Sequence, residues 1–145
     1  MLNKLLMKGS ALLLSLLIMI GGASADELVL ITHRDSTLSV SADHLKRLYF
    51  GKISSLPDGR KVTVVVYADN EEQFQKFTRK YLRRTSQQLR SFWAKQLFTG
   101  RGNMPVHVNS EEEMLNLVSS SEEYVGYIPI EAMQESVRLL VPSEN

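Results

Sequence analysis

Apolar positions along this chain switch between two rhythms. Leu28 to Thr32 (LVLIT) is a short continuous apolar run that predicts a buried strand. Val62 to Tyr67 (VTVVVY) is the strongest strand signal, and its β-branched residues on both faces predict a sheet covered by helices on each side. Between them, Leu45, Leu48 and Tyr49 recur at i, i+3, i+4, which predicts a helix over Ala42 to Tyr49 with Ser41 as its cap. Phe50-Gly51-Lys52 ends that helix. Leu56-Pro57-Asp58-Gly59 is turn chemistry, because Pro presets φ and Gly accepts φ > 0.

The helical rhythm returns after Asp69-Asn70. Phe74, Phe77 and Tyr81 at i, i+3, i+7 predict a helix running to about Arg83. Thr85-x-x-Gln88 is a capping box that opens another, with Leu89, Phe92, Trp93 and Leu97 as its inward stripe, and Thr99 to Asn103 (TGRGN) breaks it. Ser110-x-x-Glu113 is a further capping box, followed by Met114, Leu117 and Val118 on one face. Tyr124 to Ile128 predicts a strand, Pro129 to Gln134 a short helical turn, and Val137 to Val141 a closing strand. Strands alternating with helices give the α/β class with a mostly parallel sheet.

The first 25 residues follow a different logic. Lys4 and Lys8 precede the uncharged apolar run Ala11 to Ile20, and Ala23-Ser24-Ala25 supplies the small-x-small pattern of a signal-peptide cleavage site. The expected organisation is a signal peptide over 1–25 and one domain over 26–145, starting at Asp26, in a periplasm-like space. A retained anchor is the alternative, since a span needs about 20 apolar residues and this stretch reaches that only with Gly21, Gly22 and Ser24 included.

Cleavage also changes the charge. Loss of Lys4 and Lys8 takes the 17 basic residues to 15 against 16 acidic, a formal −1, so nothing points to nucleic acid as a partner. The absence of Cys excludes thiol nucleophiles, CxxC redox chemistry, Cys-based zinc sites and a lipoprotein anchor. His33, His44 and His107 are scattered without metal-ligand spacing, and no G-x-S-x-G motif occurs, so the sequence predicts neither metal, cofactor nor catalysis.

The ordered series Leu38 to Gly51 (LSVSADHLKRLYFG), the Gly59 turn, the valine-rich strand, Phe92-Trp93, Phe98-Thr99-Gly100, Pro105, Glu113-Met114, Val118 and Gly126-Tyr127-Ile128 resembles the phosphate ABC-transporter substrate-binding proteins. The resemblance implies a type 2 periplasmic-binding fold and a non-enzymatic, exported protein that hands an oxyanion to a membrane permease. Such proteins have two hinged lobes, and this chain resembles mainly one, so the expected fold is a single lobe with helices on both faces of the sheet. A dimer would be one way to rebuild a two-walled cleft.

In that family an Arg at the end of the strand before the Phe-containing helix, then Asp-Gly-Ser-Gly-Thr, cradles the phosphate at a helix N-terminus, using orphan N–H donors and the helix dipole. The matching stretch here is Tyr67-Ala68-Asp69-Asn70-Glu71-Glu72-Gln73-Phe74, which keeps only Asp69 and places acids in the helix's first turn. Asp69 and Asn70 are candidate ligand contacts, alongside Arg34, Ser36 and Thr37 in the loop after the first strand, where open α/β sheets tend to bind ligands. The same residues also read as a helix cap and a plain polar loop. Thr99 to Asn103 is a lone G-x-G, a turn signal without phosphate-loop spacing.

Lys76, Arg79, Lys80 and Arg83 fall at i, i+3, i+4, i+7 on one helical face. That face suits either solvent or an acidic partner, a periplasmic protein or membrane component. Two functions therefore stand: binding of phosphate or another small oxyanion, and a protein-interaction accessory that kept the lobe and lost the ligand.

Overall fold

The structure, a computed structural model, describes residues 27–68 and 71–144. The predicted signal segment, and Asp69 and Asn70, lie outside the described residues. The elements follow in the order β1 (Leu28–His33), α1 (Ala42–Tyr49), β2 (Thr63–Tyr67), α2 (Glu71–Phe77) continued by a π-helical turn (Thr78–Leu82), α3 (Ser86–Phe98), β3 (Val106–Val108), α4 (Glu111–Val118), β4 (Tyr124–Pro129), a 3₁₀ turn (Ile130–Ala132) and β5 (Val137–Leu139).

The five strands form one sheet in the order β3-β2-β4-β1-β5. β2 pairs parallel with β3 and β4, while β1 pairs antiparallel with β4 and with β5. Four strands thus share a direction and β1 alone runs against them. The sheet is mostly parallel, as predicted, with its reversal at a place the sequence does not mark.

Helices cover both faces. Gly126 on β4 faces α4 so closely that an added Cβ would run into Met114 and Val118. The next residue points the other way: the Tyr127 ring stacks on Phe77 at 4.0 Å and 4°. Phe77 in turn meets Tyr49 of α1 at 4.6 Å, so an aromatic column joins β4, α2 and α1. Val64 to Tyr67 are all buried, which matches a strand packed on both sides.

Several predicted details shift. The stripe of Phe74, Phe77 and Tyr81 does pack inward, but the π-helical turn also turns Leu82 into the core and ends at Arg83, whose left-handed backbone (φ 52°) stops the helix. In α3, Leu89 and Trp93 are buried while Leu97 is 64 % exposed, because the last turn of the helix overshoots the core. The closing strand spans only Val137–Leu139. Strand β3, three residues at the sheet edge, has no apolar run long enough to predict it.

Candidate anion-binding groove

The loop after β1 is held by bonds within itself and to its neighbours. Arg34 is exposed, with its Nε 3.5 Å from Asp35 Oδ2. The buried Ser36 hydroxyl accepts from the Leu38 N–H at 3.1 Å, and Thr37 Oγ1 accepts from Arg60 at 3.1 Å. Arg60 also grips Asp58, and these hydrogen bonds hold the Asp58 carboxyl below the usual range. Arg138 fastens the loop from below by donating to the Ser36 and Leu38 carbonyls at 2.6 and 2.8 Å.

The loop of Arg34, Ser36 and Thr37 lies at the end of the sheet opposite the carboxyl end of β2. Thr32 of β1 pairs with Val125 and Thr63 of β2 with Tyr124, so the end of β1 lies beside the start of β2. The far end of β2 is a strand of five residues, or about 17 Å, away; Asp69 and Asn70 lie outside the described residues. The strand-end rule that selected the Arg34 loop concerns the carboxyl ends of parallel strands. β1 is the one reversed strand, so its carboxyl end sits with the amino ends of the others.

At the true carboxyl end of β2 and β3 the chain gathers carboxylates. Helix α4 opens with Glu111, Glu112 and Glu113, all exposed, and α2 opens with Glu71 and Glu72. Ser110 caps Glu113 N–H as predicted, but the Glu113 carboxylate accepts from Asn109 N–H at 2.7 Å, one residue before the position a capping box would use. Tyr67 stands where the resemblance places an Arg. Its ring is buried, its hydroxyl has no hydrogen-bond partner among the described residues, and burial, then the Glu111 charge, raises its pKa.

The predicted basic face divides in two. Lys76 pairs with Glu72 at 2.8 Å, and Lys80 reaches both Glu27 at 3.2 Å and the Leu28 carbonyl at 2.8 Å. Lys76, Arg79 and Lys80 share a shallow depression beside Leu28. Arg83 does not join them. The π-helical turn breaks the α-helical register before it, and Arg83 lines a separate groove of about 470 Å³ with residues from α1 and α3.

That groove gathers positive charge. Lys46, Arg47, Lys52, Arg83 and Arg84 line it, with Asp43 as its acid, over a floor that includes Phe50, Phe92 and Leu82. Among the described residues none of the five cations forms an ion pair. The local structure explains how they meet. Helix α1 ends at Phe50, and Gly51 turns the chain with φ +70° at a point where any side chain would strike the Asn103 backbone. The turn brings Lys52 back over the Phe50 and Phe92 rings, 5.7 Å from each centroid. Those rings meet edge to face at 5.1 Å. Trp93 Nε1 donates to the Tyr49 carbonyl at 2.8 Å, fixing α3 against α1.

Five cations and one carboxylate leave a formal +4. The C-terminal ends of α1 and of the π-helical turn bring roughly −0.5 each, so a surplus of about +3 faces the groove. Sequence reading missed this site because its cations come from two stretches far apart along the chain, residues 46–52 and 83–84. The signal that was present is Lys46-Arg47 in the last turn of one helix and Arg83-Arg84 just past another.

No protein-family model and no curated protein matches the sequence. Solved structures do. An ABC-type phosphate transport receptor from Vibrio cholerae superposes with a TM-score of 0.57 at 20% identity, over 79% of this chain and 45% of its own. A putative phosphate ABC transporter substrate-binding protein with bound phosphate from Clostridium perfringens gives 0.52 at 20% identity, over 79% and 44%. A possible phosphate-binding protein from Planctomyces limnophilus gives 0.58 at 12%, over 82% and 42%. The chain spans less than half the length of each. Its fold is therefore that of periplasmic phosphate-binding proteins, in the extent of a single lobe.

Proposed function

We propose that the protein is an exported, one-lobed solute-binding protein that holds a small oxyanion, phosphate among them, in the groove between α1, the π-helical turn and α3. The observation that carries this reading is the surplus of cations over Phe50 and Phe92, on a fold shared with phosphate-binding proteins. Arg and Lys donors hydrogen-bond oxyanions with charge assistance, and Arg does so in a bidentate fork. No helix among the described residues is long and apolar enough to cross a membrane. The signal sequence over 1–25 supports release into the periplasm, where a permease or another periplasmic protein would take the ligand.

Expression of the full chain in a Gram-negative host tests both parts. The periplasmic fraction should contain a species whose mass begins at Asp26; an uncleaved, membrane-bound product would establish the anchor instead. Thermal unfolding of that protein with phosphate, against sulfate at matched ionic strength, should give a saturable rise of several degrees, since ligand at 100 times Kd adds about 2.7 kcal/mol. Lys46→Glu with Arg83→Glu should abolish the rise. Arg34→Ala should abolish it only if the loop of Arg34, Ser36 and Thr37 is the site. Absence of any rise leaves the interaction-accessory role.

A further inference from the structure

The groove is larger and more apolar than a bare oxyanion requires. Its volume of about 470 Å³ falls within the roughly 300–1,000 Å³ of sites that enclose organic ligands. Half-buried Phe50 and Phe92 line it together, and Lys52 lies over both rings. The cations are placed around this aromatic floor: Lys46 and Arg47 come from α1, Arg83 and Arg84 from the other side. We infer that the groove takes an organic oxyanion, a phosphate monoester carrying a flat apolar group, in preference to inorganic phosphate.

The division of labour follows from the geometry. The terminal phosphoryl oxygens meet the guanidinium and ammonium groups, and Lys52 serves as the donor nearest the rings. The flat group lies against Phe92 and Phe50, replacing water on surfaces that the fold leaves half covered. A monoester retains a charge of about −1.5 to −2 near neutral pH, so it keeps most of the Coulomb attraction and adds ring contact. The surplus of about +3 also matches a multiply charged headgroup better than a single carboxylate.

The inference rests on the oxyanion-binding reading, and its test separates the two. Calorimetric titration of the processed full-chain product would compare phenyl phosphate, inorganic phosphate and phenol. Phenyl phosphate should bind about tenfold tighter than phosphate, the gain expected of one aromatic contact, and phenol should not bind measurably. Phe92→Leu keeps the apolar volume close to native and should bring the ratio of the two affinities down toward one. Intermolecular NOEs from the phenyl protons should reach the Phe50 and Phe92 rings. Equal affinities for phosphate and phenyl phosphate would overturn the inference while leaving oxyanion binding intact. Failure of both to bind would overturn the oxyanion reading first and the inference with it. Phenol binding as tightly as phenyl phosphate would overturn both, because the cations would then have no part.

Discussion

Two surfaces of one frame carry opposite charge, and each obeys the helix ends that build it. At the carboxyl end of β2 and β3, glutamates occupy the first turns of α2 and α4, where the positive end of the dipole favours them. At the groove, Lys46 and Arg47 occupy the last turn of α1, where the negative end favours cations. The difference lies in what remains after local accounting. Glu72 meets Lys76 and Glu113 meets the Asn109 N–H, whereas the groove keeps its surplus. A scaffold shared with phosphate-binding proteins thus does not fix where an anion would sit. In the proposed reading side chains at helix ends decide that, and the helical layer takes the anion in place of the strand ends.

The largest effect comes from breaking the support both surfaces share. Tyr49 lies beneath the groove, Tyr67 at the acidic end and Tyr127 between them, and burial is the main cause raising all three hydroxyl pKa values. A raised folded-state pKa means the native protein keeps protons that the unfolded chain releases from about pH 10 upward. Stability is therefore fully present below about pH 10 and is lost as pH climbs through the folded values, at up to about 4 kcal/mol per pH unit for three protons. Tyrosinate absorbance and far-UV circular dichroism should move together in one steep alkaline transition. Tyrosinate appearing early, with the circular dichroism unchanged, would show that the column does not exclude water.

A smaller effect separates the surfaces. Trp93 is buried, tilts against Phe74 at 5.8 Å and ties α3 to the end of α1. Trp93→Ala should cost about 3–5 kcal/mol in denaturant unfolding and disperse the groove. Trp93→Phe keeps most of the volume but strips the Tyr49 carbonyl of its donor, for about 1–3 kcal/mol. Phosphate response should weaken in both variants, with the alkaline transition of Trp93→Phe keeping its steepness. A Trp93→Phe variant with full stability would mean the Nε1 bond contributes nothing to the groove.

Legibility in the sequence followed locality. Helix α1, its Ser41 cap and the reciprocal Thr85–Gln88 box were readable because each is decided within a few residues. The strands β1, β2 and β4 were readable because unbroken apolar runs need two covered faces. The direction of β1 was not, since antiparallel pairing with β4 and β5 is a matter of long-range connection. That one reversal separated Arg34, Ser36 and Thr37 from the other end of β2. The basic face failed for a related reason: i, i+3, i+4, i+7 spacing assumes an α-helix throughout, and a π-helical turn moved Arg83 onto another surface. The groove itself needed α1, α3 and the turn in contact, which no window of sequence contains.

The smallest effect sharpens the contrast at two helix starts. Helix α3 begins beside the groove with no acid in its first turn and relies on Thr85, whose hydroxyl accepts from Gln88 N–H at 3.1 Å while Gln88 Oε1 accepts from Thr85 N–H at 3.0 Å. Helix α4 adds three glutamates to its Ser110 cap. Thr85→Ala should cost about 1 kcal/mol and change little with salt, since a neutral hydrogen bond is lost. Glu111→Gln and Glu112→Gln should each cost about 0.3–1 kcal/mol in dilute buffer. At 1 M salt, where the Debye length falls to about 3 Å, most of that cost should vanish. Denaturant midpoints at two salt concentrations check both. If the glutamate cost persisted in high salt, these side chains would be acting through specific bonds, and the acidic end would be a second organised site instead of a consequence of helix polarity.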